Sequence, residues 1–194
     1  IYGGLFSPTE AGAIGALGAY VVGFARRKLG WAEIKAIALE TGFITASILF
    51  LIIAANLYGR MLTLSTIPMQ ATGFIASMDL QLLGFMLAYI VLVILLGMIL
   101  DSVSIMLVIL PIAIPIITSL GGDLIWFGIV SIIAIEIGLL TPPFGLSVFV
   151  VKGSLPPGFV TLGEIFKGAA PFVLAMLAVT LLLVFVPSIA LFLV

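Results

Sequence analysis

The chain reads as a series of apolar runs, most of them long enough for a helix, separated by short polar punctuation. Residues 9–25 place Gly12, Gly15, Gly18 and Gly23 among apolar neighbours. They follow Ser7-Pro8-Thr9-Glu10, which has the form of a helix cap and first turn. The small residues suit close helix packing in a membrane, and Arg26-Arg27-Lys28 ends the run. Over 31–40, Glu33 and Lys35 alternate with Ile34, Ile37 and Leu39, so a short interfacial helix is expected, with Trp31 at headgroup depth. A second membrane helix is expected over 41–62, carrying Asn56 and ending near Arg60. Residues 63–81, with Pro68, Gln70 and Asp79, read as an interfacial connection.

The second half is organised around two interruptions. Residues 82–119 are too long for one crossing, because about 20 residues span the hydrocarbon core. Gly97 and Asp101 divide them into two arms of a hairpin, the second carrying Pro111 and Pro115. Gly121-Gly122-Asp123 reads as a turn. Residues 124–140 are expected to be helical, 141–145 to break the helix, and 146–152 to resume it. Ser154 to Gly158, with Pro156-Pro157, reads as a loop; a short amphipathic helix over 161–168 and a last crossing over 169–192 follow.

Composition fixes the class. The 194 residues are 64% hydrophobic and only 8% charged, with a mean hydropathy of +1.49. A water-soluble surface cannot be solvated with so few charges, so the expected class is an all-α polytopic membrane protein. A β-barrel would alternate apolar and polar positions in short segments. A net charge of −1 gives no case for nucleic-acid binding. The absence of Cys removes disulfides and thiolate chemistry, and the absence of His removes the commonest general base and metal ligand. A hydrolase of the Ser/His/Asp type is therefore excluded. The opening Ile1-Tyr2-Gly3-Gly4 reads like the interior of a longer polypeptide.

Charge placement gives a topology. Arg26, Arg27, Lys28 and Lys35 lie between the first two helices, and Lys152 and Lys167 lie between the broken helix and the last crossing. If 82–119 enters and returns on the same side, six of the seven positive residues share one face. That face is cytoplasmic by the positive-inside rule. The mouth of the hairpin and the C-terminus are then outside.

The two interruptions carry the candidate chemistry. A carboxylate within a membrane segment marks an ion or substrate pathway by default. At the tip of the hairpin, Asp101, Ser102 and Ser104 offer a carboxylate and two hydroxyls, beside backbone carbonyls freed by Gly97. Hard cations such as sodium prefer such oxygen donors. The N-terminal end of the second arm also suits an anion. Asp101 equally suits a cap on that arm, and the two roles are compatible. Gly138 to Gly145 is the more specific signal. Pro142 and Pro143 remove two N–H donors and push Thr141 out of helical geometry, and Gly145 permits a positive φ. Glu136 lies five residues before Thr141 and is a coupling carboxylate, a proton site or a structural acceptor for a neighbouring helix. Asn56 reads as an interhelical hydrogen-bond partner and Glu10 as a first-turn residue favoured by the helix dipole.

At these residues the chain resembles a known family. The passages IYGGLFSPTEAGAIGA at 1–16, GMILDSVSIMLVILPIAIPI at 97–116, IEIGLLTPPFGLSVFVVKG at 135–153 and EIFKGAAPFVLAMLAVTLLLVFVPSIALFL at 164–193 resemble the large permease subunit of tripartite ATP-independent periplasmic (TRAP) transporters of the dicarboxylate and sialic-acid type. The resemblance implies an ion-transporter fold of two inverted repeats, each with a re-entrant hairpin and a broken helix. This chain corresponds to the second repeat, the C-terminal half. Residues 1–81 would be scaffold helices with an interfacial arm. Residues 82–152 would be the transport part, with the hairpin at 82–119 and the broken helix at 124–152. Residues 153–194 would be an amphipathic linker and the last membrane helix.

The resemblance also implies function. The family couples sodium entry to uptake of organic acids by an elevator movement, in a bacterial or archaeal cytoplasmic (inner) membrane. Its partners are a periplasmic substrate-binding protein, a small four-helix membrane subunit and the N-terminal half of the same subunit. No cofactor beyond the coupling sodium is implied. Carried over, the ion- and substrate-binding candidates are Gly97, Asp101, Ser102 and Ser104 at the tip, and Gly138, Thr141, Pro142 and Gly145 at the break. Two other readings stay open: a sodium-coupled carboxylate or anion transporter without a binding protein, and a non-transporting membrane scaffold subunit. An enzyme fits least, with no His, no Cys and eight carboxylates.

Overall fold

The computed structural model describes residues 6–77, 80–156 and 158–192. The expectations for Ile1-Tyr2-Gly3-Gly4, Asp79 and Pro157 lie outside the described residues. The chain forms two compact units, Ile1–Leu51 and Ile52–Val194.

In the first unit, α1 (Pro8–Ala25) begins as its sequence dictates. Ser7 and Glu10 form a reciprocal capping box: the Ser7 side chain accepts from the Glu10 N–H, and Glu10 accepts from the Ser7 N–H at 2.8 Å. Pro8 occupies the first turn, where its missing N–H costs nothing. The helix α2 (Trp31–Ser65), whose residues from Ile52 belong to the second unit, then runs for 35 residues, about 52 Å at 1.5 Å per residue. The expected division at residue 40 into an interfacial helix and a membrane helix is not seen. Glu40-Thr41-Gly42 contains no proline, and one glycine costs only about 1 kcal/mol in a helix. The helix ends at Thr66, whose φ of +60° cannot continue it.

The second unit holds the core. The helix α3 (Ile67–Ser77) packs against α5. Its Ala71 and Ile75 lie against the core, so this stretch is part of the packed body rather than a surface connection. The helices α4 (Leu82–Gly97) and α5 (Ser102–Ser119) lie on either side of the expected interruption at 97–101. Then α6 (Leu124–Leu139) and α7 (Leu146–Ser154) are the two halves of the expected broken helix. The turn between α5 and α6 uses Gly121 at φ +75°, followed by Asp123, whose carboxylate accepts from the N–H groups of Ile125 and Trp126.

The last helices differ from expectation. α8 (Leu162–Phe185) is one continuous helix through Pro171, and α9 (Pro187–Leu191) is a short turn after it. A membrane helix tolerates an internal proline because neighbours re-satisfy the freed carbonyl. A second capping box, Thr161 with Glu164, fixes its start.

The core is built on α4 against α6, with α5 and α8 alongside. Met86, Val93, Ile105, Ile117, Phe127, Val130 and Ala134 are essentially sealed. Tyr89 and Phe127 pack with ring centroids 4.8 Å apart. The buried Tyr89 hydroxyl donates to Ser131 at 2.9 Å, and Ser131 donates to the Phe127 carbonyl at 2.7 Å. Trp126 Nε1 donates to the Leu183 carbonyl at 2.7 Å and pins α6 to α8. Among the described residues, no buried side-chain polar atom lacks a partner.

The described residues are mostly helical, with no strand among them. Among the described residues, three helical stretches are long and apolar enough to cross a membrane: Trp31–Leu62, Ser102–Ser119 and Leu162–Phe185. α1, expected as a crossing, is not one of them, since Pro-Thr-Glu in its first turn dilutes an 18-residue helix.

Candidate functional site

The hairpin tip and the helix break meet. At the end of α4, Gly97 lies against Gly138, near the end of α6. A Cβ on Gly97 would stand 2.9 Å from the Ile135 carbonyl oxygen and 3.0 Å from the Gly138 Cα. A Cβ on Gly138 would stand 2.6 Å from the Ile94 carbonyl oxygen. Both positions are buried backbone against backbone, and only glycine allows that approach.

The tip begins where α4 stops. The N–H groups of Met98, Ile99 and Leu100 turn back onto the carbonyls of Ile94 and Leu96. The next helix starts at Asp101, whose backbone is extended and whose side chain caps α5. Asp101 Oδ2 accepts from the Ser104 N–H at 3.0 Å, and Oδ1 accepts from the Ser104 hydroxyl. The capping role expected for Asp101 is therefore present. Both of these bonds go to Ser104, inside the same turn. Ser102 faces elsewhere: its hydroxyl donates to Glu136 Oε1 at 3.2 Å, joining α5 to α6. Asp101, Ser102, Ser104 and Glu136 are all half-buried.

The break is made by missing donors. Proline nitrogens at 142 and 143 cannot donate to the carbonyls of Gly138 and Leu139 four residues back. The Gly138 carbonyl is taken instead by the Thr141 N–H at 3.0 Å, and the Ile137 carbonyl by the Leu140 N–H at 3.2 Å. The Thr141 hydroxyl donates to the same Ile137 carbonyl at 2.5 Å. No backbone N–H among the described residues reaches the carbonyl of Leu139 or Leu140. Pro142 is exposed, whereas Thr141 is half-buried.

The chain resumes at Gly145, which has φ +60° and starts α7. A Cβ there would stand 2.7 Å from Phe166 Cε1, so α8 closes over this turn. Lys152, in the last turn of α7, donates through Nζ to the Val160 carbonyl and ties α7 to the entry of α8.

The structure thus joins Gly97 to Gly138, and Ser102 to Glu136, across the two interruptions. It pairs Asp101 with Ser104 within one of them, and it gives the Thr141 hydroxyl to its own helix. Among the described residues there is no cluster of three or more His, Cys, Asp or Glu that could hold a metal ion. The oxygen donors are instead hydroxyls, one carboxylate at the tip and unbonded carbonyls, a set of hard donors rather than the imidazole and thiolate ligands that suit transition metals.

Two groupings were not anticipated. The buried Tyr89–Ser131 bond braces α4 on α6; its signal was a lone hydroxyl on each of two apolar runs, too common to single out. A groove of about 820 Å³ is lined by Asn56, Gly59, Arg60, Met106, Leu110 and Pro111, among others, and by no tip or break residue. Asn56, expected as an interhelical partner, donates to the Ile52 carbonyl of its own helix at 2.9 Å.

The model of the tripartite ATP-independent periplasmic transporter, DctM component, matches residues 1–189. The chain belongs to that family. It is 33% identical to the C4-dicarboxylate TRAP transporter large permease protein of Pseudomonas aeruginosa, over 98% of this chain and 44% of that protein. It is 32% identical to the ectoine/5-hydroxyectoine large permease protein of Ruegeria pomeroyi, over 100% of this chain and 45% of that protein. It is 30% identical to the sialic acid TRAP transporter permease protein of Haemophilus influenzae, over 99% of this chain and 31% of that protein. The chain spans less than half the length of these relatives.

Proposed function

We propose that this chain is the cargo-handling part of the large membrane subunit of a sodium-coupled importer of organic acids. The hairpin of α4 and α5 and the broken helix of α6 and α7 bind cation and substrate, and they move as one body across the membrane. The observation that carries this is the contact between two interruptions, with Gly97 on Gly138 and Ser102 bonded to Glu136. Paired helix breaks at membrane depth are where secondary transporters bind their cargo. A rigid joint between them supports movement as a unit, because close-packed backbones do not slide independently.

Substrate class follows from chemistry and kinship. Relatives carry the names of C4-dicarboxylates, ectoine and sialic acid; each of these solutes bears a carboxylate. No Arg or Lys lies between Leu82 and Val151. A substrate carboxylate would therefore meet helix N-terminal N–H groups, hydroxyls, or residues that the relatives carry outside the matched region. The protein would sit in a bacterial or archaeal inner membrane, receive substrate from a periplasmic binding protein, and pair with a small membrane subunit.

Uptake by proteoliposomes holding the intact permease, its small subunit and its binding protein tests the proposal. Labelled C4-dicarboxylate or sialic acid should accumulate with an inward sodium gradient and should not when potassium replaces sodium. Accumulation indifferent to sodium would overturn the coupling. Accumulation without a binding protein would favour an otherwise similar carboxylate transporter.

A further inference from the structure

We infer that Glu136 is a positioning residue for the cation: by fixing the Ser102 proton, it turns the Ser102 oxygen into an acceptor at the hairpin tip. This rests on the sodium-coupled reading above and names the residue that prepares its site.

The chemistry is set by what each group can give. In the bond between Ser102 and Glu136 the hydroxyl is the donor and the carboxylate oxygen accepts. A serine hydroxyl has one proton and two lone pairs. With the proton held by Glu136, only lone pairs remain to face the tip. The other hydroxyls of the site follow the same rule. Ser104 donates to Asp101, and Thr141 donates to the Ile137 carbonyl. Three hydroxyls at the two interruptions thus have their protons committed, each to an acceptor within this chain. An unheld hydroxyl proton is free to turn toward the site and to repel a cation there.

Asp101 and the Ile137 carbonyl serve hydroxyls of their own turns, separated by three and four residues. Glu136 differs, because it reaches Ser102 across 34 residues and a helix boundary. Its charge also adds to the attraction for a cation without its standing among the tip residues. Orienting partners of this kind typically change cation affinity by about 10–100-fold when removed. A mere tie between helices would need an acceptor at this position and no charge.

Sodium-dependent thermal stabilisation of the purified intact permease separates the two roles. Glu136→Ala and Ser102→Ala should each raise the sodium concentration for half-maximal stabilisation by about tenfold. The double variant should be weaker than Ser102→Ala alone by less than the Glu136→Ala shift, because the two changes share one device. Glu136→Gln keeps an acceptor and loses the charge; it should shift the midpoint in the same direction by a smaller factor. A lower melting temperature without sodium, at an unchanged sodium midpoint, would make Glu136 a structural tie and overturn the inference. Should Glu136→Ala fail to fold, the Gln variant and Ser102→Ala carry the test, and unchanged midpoints in both overturn it. A parent permease with no sodium response at all would instead remove the sodium-coupled reading, and this inference with it.

Discussion

Gly97 and Gly138 touch through their backbones: a Cβ built on Gly138 would lie 2.7 Å from the Gly97 Cα and 2.9 Å from its carbonyl carbon. No side chain is at hand to move aside, so any added atom must push the α4 and α6 backbones apart. The joint lies where both helices stop, and it sets how the hairpin tip faces the break.

Gly138→Ala should therefore destabilise the permease, by about 1–3 kcal/mol if the helices can yield, and Gly97→Ala should do so to a comparable extent. Gly128, also on α6, has nothing within 4 Å of its Cβ position. Gly128→Ala is the control and should be neutral or stabilising by up to about 1 kcal/mol. Thermal unfolding of the three variants checks the ordering. Equal melting temperatures for Gly138→Ala and Gly128→Ala would mean that the close approach does not constrain the fold.

Much of this joint was legible in the sequence, though not the joint itself. The breaks were visible because proline and glycine act locally: Pro142-Pro143 removes donors wherever it stands, and Gly97 with Asp101 ends one helix and caps the next. The contact between Gly97 and Gly138 is tertiary, and one sequence gives no pairing for it. The same limit hid the bond from Ser102 to Glu136, since either residue could have served its own turn. The expected divisions at residues 40 and 168 were wrong for another reason. Charged and polar residues mark where a helix leaves the hydrocarbon layer, but they do not end it. Glu40-Thr41-Gly42 and Lys167-Gly168 lie inside α2 and α8, which run on without a break.

Gly145 carries two constraints that can be separated. Its φ of +60° is costly for any residue with a Cβ, about 1–2 kcal/mol. Its Cβ position is also blocked by the Phe166 ring. Gly145→Ala should lower the melting temperature. Adding Phe166→Leu should recover part of the loss by relieving the clash, and should leave the backbone cost in place. Complete recovery would show that only the ring matters; no recovery would show that only the backbone does.

Asp101 has two roles that Ser can divide. Ser and Asp are comparable N-caps, whereas Ala costs about 1 kcal/mol. Asp101→Ser should keep most of the sodium-free stability and yet raise the sodium concentration for half-maximal stabilisation. Asp101→Ala should lower both stability and sodium response. If Asp101→Ser binds sodium like the parent, the carboxylate at the tip is a cap alone.

By the positive-inside rule, residues 26–35 and 152–167 are expected to face the cytoplasm. The chain has no Cys, so single cysteines report cleanly. Ser154, exposed at the end of α7, is a suitable position. Ser154→Cys should resist a membrane-impermeant maleimide added from the periplasm and react once the membrane is opened. Labelling from the periplasm in intact cells would invert the topology.

The break at 142–143 depends on donors that are absent, so restoring them should close it. Replacing Pro142 and Pro143 together by Ala supplies two N–H groups in reach of the Gly138 and Leu139 carbonyls. It also relieves about 3 kcal/mol of helix penalty per proline. Gly145, held at φ +60°, still ends the segment, so helix gained on the α6 side is expected to stop there. The Leu139 carbonyl, which no backbone N–H reaches in the parent, would then be bonded within the helix. Sodium-induced stabilisation should fall although no charged side chain has changed. Expression should suffer less than sodium response, because a longer helix satisfies its own backbone in lipid. An unchanged sodium-induced shift in the double variant would show that the cation does not use the carbonyls of the break, leaving the hairpin tip to supply its oxygens.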